Sequence, residues 1–254
     1  MATPRRLTFG AHADAYERAR PEWPAEAARW FVPEDAQLVV ELGAGTGKLT
    51  RALAAVAPRV LAVEPDPRML AVLRERGLDG TEGSAEAIPL GDGEADAVVA
   101  GSCIHWFDLE RALPEIHRVL RPGGRFAFGW NHRDARDPGI GRMQKLIYDA
   151  REEGTGWRTR DWPAEVTAGG LFDGVAHELF PQLLELPREA LGDHLLSYAT
   201  LASLSEEERS GVLAAVSQLV DSDPSLCRDG RLTLPFVVDA YRATRAEPGA
   251  SPSP

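Results

Sequence analysis

Apolar positions in the first half of the chain fall in short runs that alternate with amphipathic stretches. Gln37-Leu38-Val39-Val40-Glu41-Leu42 is nearly continuous, rich in β-branched residues, and ends in glycines. That pattern predicts a strand buried on both faces, as in a parallel sheet. Lys48 to Val56 then sets Leu49, Leu53 and Val56 on one helical face. The alternation repeats as strand 60–64, helix 67–76, a weaker strand near 78–82, strand 95–100, helix 109–120 and strand 125–130. Arg121-Pro122-Gly123-Gly124 reads as a tight turn before the last of these. Strands alternating with helices imply a parallel sheet with right-handed crossovers and helices on both faces.

The ends of the chain follow other rhythms. Residues 11–31 have a helical pattern broken at Arg20-Pro21-Glu22-Trp23-Pro24, where two prolines force a turn. Residues 139–170 look helical and then loop-like, 175–186 can hold a sixth strand, 188–220 look helical, and 232–238 form a last strand. Ser205-Glu206-Glu207-Glu208 has the form of a capped helix start. No repeat or clean linker interrupts the chain. The expectation is one domain over 1–245, with an N-terminal cap at about 8–32, a core at about 36–135, and a helical insert plus last strands at about 136–245. Residues 246–254, rich in Pro, Ser and Gly, are expected to form a disordered tail.

Charge narrows the partners. Lys and Arg total 28 against 39 Asp and Glu, a net charge of −11. Nucleic acids and anionic membranes need clustered basic charge, so neither is expected as a partner. Two cysteines, Cys103 and Cys227, are too few for a disulfide framework and fit reduced thiols. With no apolar leader and no run long enough to span a bilayer, the protein is expected to be cytoplasmic.

The strongest chemical signal is Glu41-Leu42-Gly43-Ala44-Gly45-Thr46-Gly47-Lys48, where the first strand meets a helix. Gly43 permits a tight turn and Gly45 lets the backbone approach a ligand. A triphosphate loop, G-x-x-x-x-G-K-[ST], fails at both ends, at Leu42 and Leu49. A dinucleotide fingerprint, G-x-G-x-x-G, fails at its third glycine, which would fall at Lys48. What remains is an acid followed by G-x-G-x-G.

Glu41 to Gly47 resembles the first motif of class I methyltransferases that use S-adenosylmethionine (SAM). Three later segments resemble the same family in the same order: Gly83-Ser84-Ala85-Glu86-Ala87-Ile88-Pro89-Leu90, Asp96-Ala97-Val98-Val99-Ala100-Gly101-Ser102, and Ile116-His117-Arg118-Val119-Leu120-Arg121-Pro122-Gly123-Gly124. The resemblance covers about residues 11–131 and implies a Rossmann-like, seven-stranded α/β sheet with a helical insert after the fifth strand. It places SAM against Glu41, Gly43, Ala44 and Gly45, and against Ser84, Ala85 and Glu86 near the adenine. Glu64 and Pro65 lie at the offset where dinucleotide folds put a ribose-binding acid, whose carboxylate can accept from vicinal hydroxyls.

Tyr16 to Pro24 resembles a Y-x-x-x-R-P-x-[YW]-P segment of small-molecule methyltransferases near the trans-aconitate and ubiquinone types. There it caps the cofactor, which implies that Arg20 meets the SAM carboxylate and Tyr16 adds a hydrogen bond. Ser102-Cys103-Ile104-His105-Trp106-Phe107-Asp108 follows the fourth strand, at the edge where open α/β sheets bind ligands. Ser102 and Trp106 are candidate cofactor contacts. His105 is either a general base or a ring packed on the glycine loop, and Cys103 a buried filler. Trp130 and Asn131 are candidate substrate contacts and His132 a second base, or else Asn131 simply fixes its loop. Tyr148, Trp157, Arg158 and Trp162 fall in the insert, which commonly covers the pocket in the family. The six histidines share no ligand spacing, so no metal is expected.

The function implied is methyl transfer from SAM, releasing S-adenosylhomocysteine (SAH), to an O, N or C atom of a small molecule. A SAM-using cyclase releasing methylthioadenosine and a non-catalytic SAM binder remain alternatives, because fold does not fix reaction. No Asp/Asn-Pro-Pro-aromatic motif follows the fourth strand, which disfavours a nucleic-acid substrate.

Overall fold

The computed structural model describes residues 20–148, 159–202 and 204–247. In chain order the elements begin with α1 (Ala25–Phe31), β1 (Leu38–Leu42), α2 (Lys48–Ala54), β2 (Arg59–Glu64), α3 (Pro67–Glu75) and β3 (Gly80–Glu82). β4 (Ala95–Gly101), α4 (Leu109–Val119) and β5 (Leu120–Arg133) complete the expected alternation. The second half holds α5 (Pro138–Tyr148), α6 (Trp162–Thr167), β6 (Phe172–Pro187), α7 (Leu191–Leu196), α8 (Ala199–Ala202) and α9 (Glu206–Ser222). A two-residue β7 (Cys227–Arg228) turns into β8 (Arg231–Arg245).

The strands form one sheet in the order β3-β2-β1-β4-β5-β8-β6, with β7 paired to β8 off that path. Strands β1 to β5 pair in parallel, while β8 runs antiparallel between β5 and β6. The chain steps outward from β1 through β2 to β3, then returns to β1's other side with β4. That reversal opens a crevice beyond the carboxyl ends of β1 and β4.

Alternate residues of the central strands bury on opposite faces, as the pleat requires. Val40, Leu42, Val98, Phe126 and Phe128 pack with Leu113, Ile116 and Val119 of α4. Val39, Ala97, Val99 and Ala127 pack with Phe31, Leu49 and Leu53 of α1 and α2. Burying one such Leu or Phe side chain contributes roughly 1.5–3 kcal/mol.

A third cluster lies in the second half. Val212, Val216 and Val220 form a stripe on α9 and meet Ile140, Met143 and Ile147 of α5 and Leu232, Leu234 and Phe236 of β8. The expected cap is present: Ser205 and Glu208 form a reciprocal capping box at the start of α9.

Three elements differ from expectation. The last strand runs seven residues beyond 238, because Ala240 and Ala243 are buried on opposite faces of the sheet among polar residues that pair with β5. The fifth strand takes in the Arg121–Gly124 turn as an irregularity: Leu120 pairs with Ala95, and the register shifts before Ala97 meets Arg125. The stretch expected to be helical from 188 is broken into a short 3-10 turn and three helices. Ala246, placed in the expected tail, is tied by its N–H to Leu171 O at 2.9 Å. Tyr16, Trp157 and Arg158 lie outside the described residues. No described helix is long and apolar enough to cross a membrane.

Candidate functional site

The crevice begins at the turn after β1. Gly43 N–H donates to Val63 O at 2.8 Å, which docks the turn on β2. Gly43 has φ of +65°, and a Cβ there would stand 2.9 Å from Cys103 Sγ. Gly45 has φ of +59°, and among the described residues nothing lies within 4 Å of where its Cβ would be. One glycine is thus enclosed by protein, and the other exposes its backbone to open space, as a close-binding ligand requires.

Two carboxylates organise this turn from below. Glu64, at the end of β2, accepts from Gly45 N–H and from Asp66 N–H, each at 2.8 Å, one on each oxygen. A carboxylate oxygen has more than one acceptor site, so Glu64 keeps capacity for further donors. Burial pushes its carboxyl above the usual range. Glu41 accepts from Thr50 Oγ1 at 2.5 Å, which bolts β1 to α2 across the glycines. Its pKa is pushed up to about 8 by burial, against the Thr50 hydrogen bond. Burial also raises the Cys103 thiol, reinforced by both acids, and Cys103 donates to Leu42 O at 3.0 Å. Cys103 is the filler expected, held as a thiol.

Ser84, Ala85 and Glu86 form a small turn in which Ala87 N–H donates to Ser84 O at 3.2 Å. Glu86 accepts from Asp108 N–H at 3.0 Å, joining that turn to the loop after β4.

That loop starts under strain. Ser102 has φ of +58°, unusual for a residue with a side chain. Its N–H donates to Gly129 O at 2.7 Å, and its hydroxyl accepts from Asn131 N–H at 3.3 Å. Trp130 Nε1 donates to His105 Nδ1 at 3.2 Å. Because indole is a donor only, His105 carries its proton on Nε2. Burial, aided by the positive charge of Arg160, lowers the His105 pKa to about 4. His105 is therefore a neutral imidazole at neutral pH. Its ring lies 4.8 Å from that of Trp106, which is 37% exposed at the rim.

Trp130 is buried in an aromatic wall, 5.0 Å from Trp162 and edge-on to Phe128 and Tyr241. On the opposite face of β5, Asn131 donates to Glu22 O at 3.0 Å and accepts from Gln182 Nε2 at 2.7 Å. His132 follows on the strand, with Nδ1 2.9 Å from Arg133 O.

The Pro21–Pro24 segment lies over this edge. Trp23 packs where a Gly101 side chain would stand, and Glu22 pairs with Lys48 at 2.7 Å and Arg51 at 2.9 Å. The Arg20 guanidinium is engaged with the second half of the chain: Nε donates to Ser197 Oγ at 3.1 Å and Nη2 to Ser197 O at 3.0 Å. Sequence reasoning missed the partners brought in from afar, Arg160, Gln182, Ser197, Tyr198 and Tyr241. None falls at a motif spacing.

A family model described as "Methyltransferase domain" matches residues 40–128, from within β1 to within β5. An uncharacterized methyltransferase of Mycobacterium tuberculosis is 40% identical over 243 residues, covering 94% of this chain and 96% of that one. This chain belongs to the class I SAM-dependent methyltransferase family. The sheet of this methyltransferase has solved counterparts. A putative type II methyltransferase from Anaeromyxobacter dehalogenans matches with a TM-score of 0.64 at 24% identity, covering 89% of this chain and 97% of that one. Phosphoethanolamine N-methyltransferase 2 of Haemonchus contortus, solved with phosphomonomethylethanolamine and SAH, matches with a TM-score of 0.54 at 17% identity, covering 97% and 61%. Both likenesses concern the fold. Among the described residues of the methyltransferase no group of three or more His, Cys, Asp or Glu is placed to hold a metal ion.

Proposed function

We propose that this methyltransferase moves a methyl group from SAM to an O, N or C atom of a small-molecule acceptor, with SAM over β1 and β2 and the acceptor toward β4 and β5. The observation that carries the reading is Gly45: its backbone faces open space while its N–H is held by Glu64. Gly43, Ala44 and Gly45 border the cofactor from the turn, and Glu41 keeps that turn in place through Thr50. Glu64, with Pro65 beside it, retains acceptor capacity for vicinal ribose hydroxyls. Ser84, Ala85 and Glu86 border the adenine side, Ser102 and Trp106 the opposite rim, and Arg20 belongs to the covering segment; the resemblance adds Tyr16, outside the described residues, as a further cofactor contact. The Haemonchus contortus enzyme of like fold was solved with SAH, which supports the cofactor choice.

SAM, when bound, supplies a methyl group already activated by its sulfonium. The work left to the chain is orientation and exclusion of water. Trp130 and Trp162 form a dry wall beside the acceptor, and Asn131 pins the Glu22 segment over it. His105, neutral and with Nδ1 occupied, orients Trp130 and Trp106 instead of accepting a proton. His132 is the remaining base for an acceptor protonated in its ground state. The acidic net charge of −11 fits a small acceptor in a cytoplasmic setting rather than a nucleic acid.

Isothermal titration with SAM and SAH, on wild type and Gly45→Arg, tests this. Micromolar binding is expected for wild type and none for the variant, with unchanged circular dichroism. Folded wild type that binds neither ligand refutes the cofactor assignment.

A further inference from the structure

The end of β5 carries a positive charge that the fold leaves unanswered. Arg133 is 2% exposed, and its Nε and Nη1 have no hydrogen-bond partner among the described residues. Gln144 Nε2 donates to the Arg133 carbonyl at 2.9 Å, which fixes the backbone and does nothing for the guanidinium. Among the described residues no carboxylate forms an ion pair with it.

A second unanswered group stands beside it. The Arg133 guanidinium carbon lies 4.2 Å from the Tyr198 ring centroid, and that of Arg20 lies 3.4 Å from the same centroid. The Tyr198 hydroxyl is buried and also lacks a partner among the described residues. Two like charges therefore share one aromatic ring, next to a phenol with a free proton to donate. Cation–π contact offsets part of the desolvation of a guanidinium but satisfies none of its N–H groups. A buried charge without a counter-ion is a strong destabiliser unless some bound state supplies the missing partner.

The location says which bound state. Arg133 ends β5 on the face of Asn131, one strand-width from the Trp130 wall, at the edge where open α/β sheets hold ligands. Guanidinium N–H groups and a phenol O–H are all donors, so the missing partner is an acceptor-only anion. We infer that Arg133 and Tyr198 form a buried seat for a carboxylate of the methyl acceptor, which makes the acceptor a small organic acid. This rests on the reading of the β4–β5 edge as the acceptor side of a methyltransferase. The seat is shut off from water in this arrangement, so the acid enters by displacing the Ser197–Tyr198 segment that Arg20 holds down.

The test uses the full chain saturated with SAH. Melting is followed with millimolar sodium salts from acetate to hexanoate and from malonate to adipate, with the matched primary amides, and with inorganic phosphate. At least one carboxylate is expected to raise the melting temperature of wild type while its amide does not. Arg133→Met should abolish that rise and leave SAH affinity by titration unchanged. Should that variant not fold, Tyr198→Phe removes a single hydroxyl and should weaken the same carboxylate about tenfold. Equal shifts from acid and amide overturn the inference. So does a carboxylate response that survives in the variants, a response to phosphate alone, or no response from any carboxylate. Failure of SAH to bind wild type would instead strike the cofactor assignment, and failure of every carboxylate with SAH bound strikes this seat alone.

Discussion

Replacing Gly43 by alanine should unfold the protein more readily than replacing Gly45, although both glycines have left-handed φ, +65° and +59°. A side chain in that region costs roughly 1–2 kcal/mol at either position. The difference is room. At Gly43 the new methyl stands 2.9 Å from Cys103 Sγ and 3.0 Å from Cys103 Cβ, and Cys103 is fixed by its bond to Leu42 O. Overpacking of that kind adds roughly 1–3 kcal/mol. At Gly45 nothing among the described residues lies within 4 Å, so no such penalty arises. For a chain of this size each kcal/mol lowers the melting temperature by about 2–4 °C. Gly43→Ala should therefore cost roughly 5–15 °C and Gly45→Ala a few degrees. The order reverses for SAM affinity measured on folded protein: Gly45→Ala should lose more than about tenfold, because its methyl occupies the ligand's approach. Adding Cys103→Ala to Gly43→Ala removes the Sγ contact but keeps the Cβ contact, so part of the lost stability should return in a double-mutant cycle. Equal destabilisation at the two glycines, or no coupling between positions 43 and 103, would refute the argument.

Two further predictions concern protons. Glu41, with a folded pKa of about 8 against an ordinary 4.5, holds a proton that the unfolded chain loses between those values. Its contribution is full below pH 4.5 and is lost as pH rises to 8, at up to about 1.4 kcal/mol per pH unit. Glu41→Gln should flatten the urea-unfolding stability across that window, and an unchanged slope would count against a buried, protonated Glu41. His105 moves the other way, from an ordinary 6.5 down to about 4. Stability present above pH 6.5 is lost as pH falls toward 4, where the ring must charge. Proton NMR of the imidazole should give a midpoint near 4; a midpoint near 6.5 would restore His105 as a proton acceptor.

The cofactor half was legible because its signals are local. The run Leu38–Leu42 is buried on both faces, so composition alone marks it as a central strand. The turn after it acts within a few residues, where spacing and structure coincide, and so does the Ser205 box of the second half. Apart from that box, the acceptor half had no such marks. Trp130 meets His105 across 25 positions, Gln182 reaches Asn131 across 51, and Arg20 reaches Ser197 across 177. Such meetings follow from the sheet order, which periodicity does not reveal. The same holds for β8. Its polar residues Asp239, Arg242 and Thr244 hide a strand until pairing with β5 shows that Arg125 faces Thr244.

The lengths of the outer strands explain how one chain keeps these halves apart. The parallel strands β1, β2 and β4 stop at the crevice, at Leu42, Glu64 and Gly101, and their ends hold the turn that carries the cofactor reading. The antiparallel pairing does not stop there: β5 and β8 stay paired as far as Arg133 and Phe236, and β6 and β8 as far as Pro187 and Arg231. That overhang supplies Leu232, Leu234 and Phe236, on which α5 and α9 build a core of their own. Residues of that core are absent from the two clusters that support the glycine turn. Substitutions at Val212 or Val216 should therefore disturb α5, whose Gln144 holds the Arg133 carbonyl, while Glu41, Glu64 and Gly45 keep their contacts. Acceptor choice can drift in such a molecule without loss of the cofactor, since distant sites with no shared partners act nearly independently.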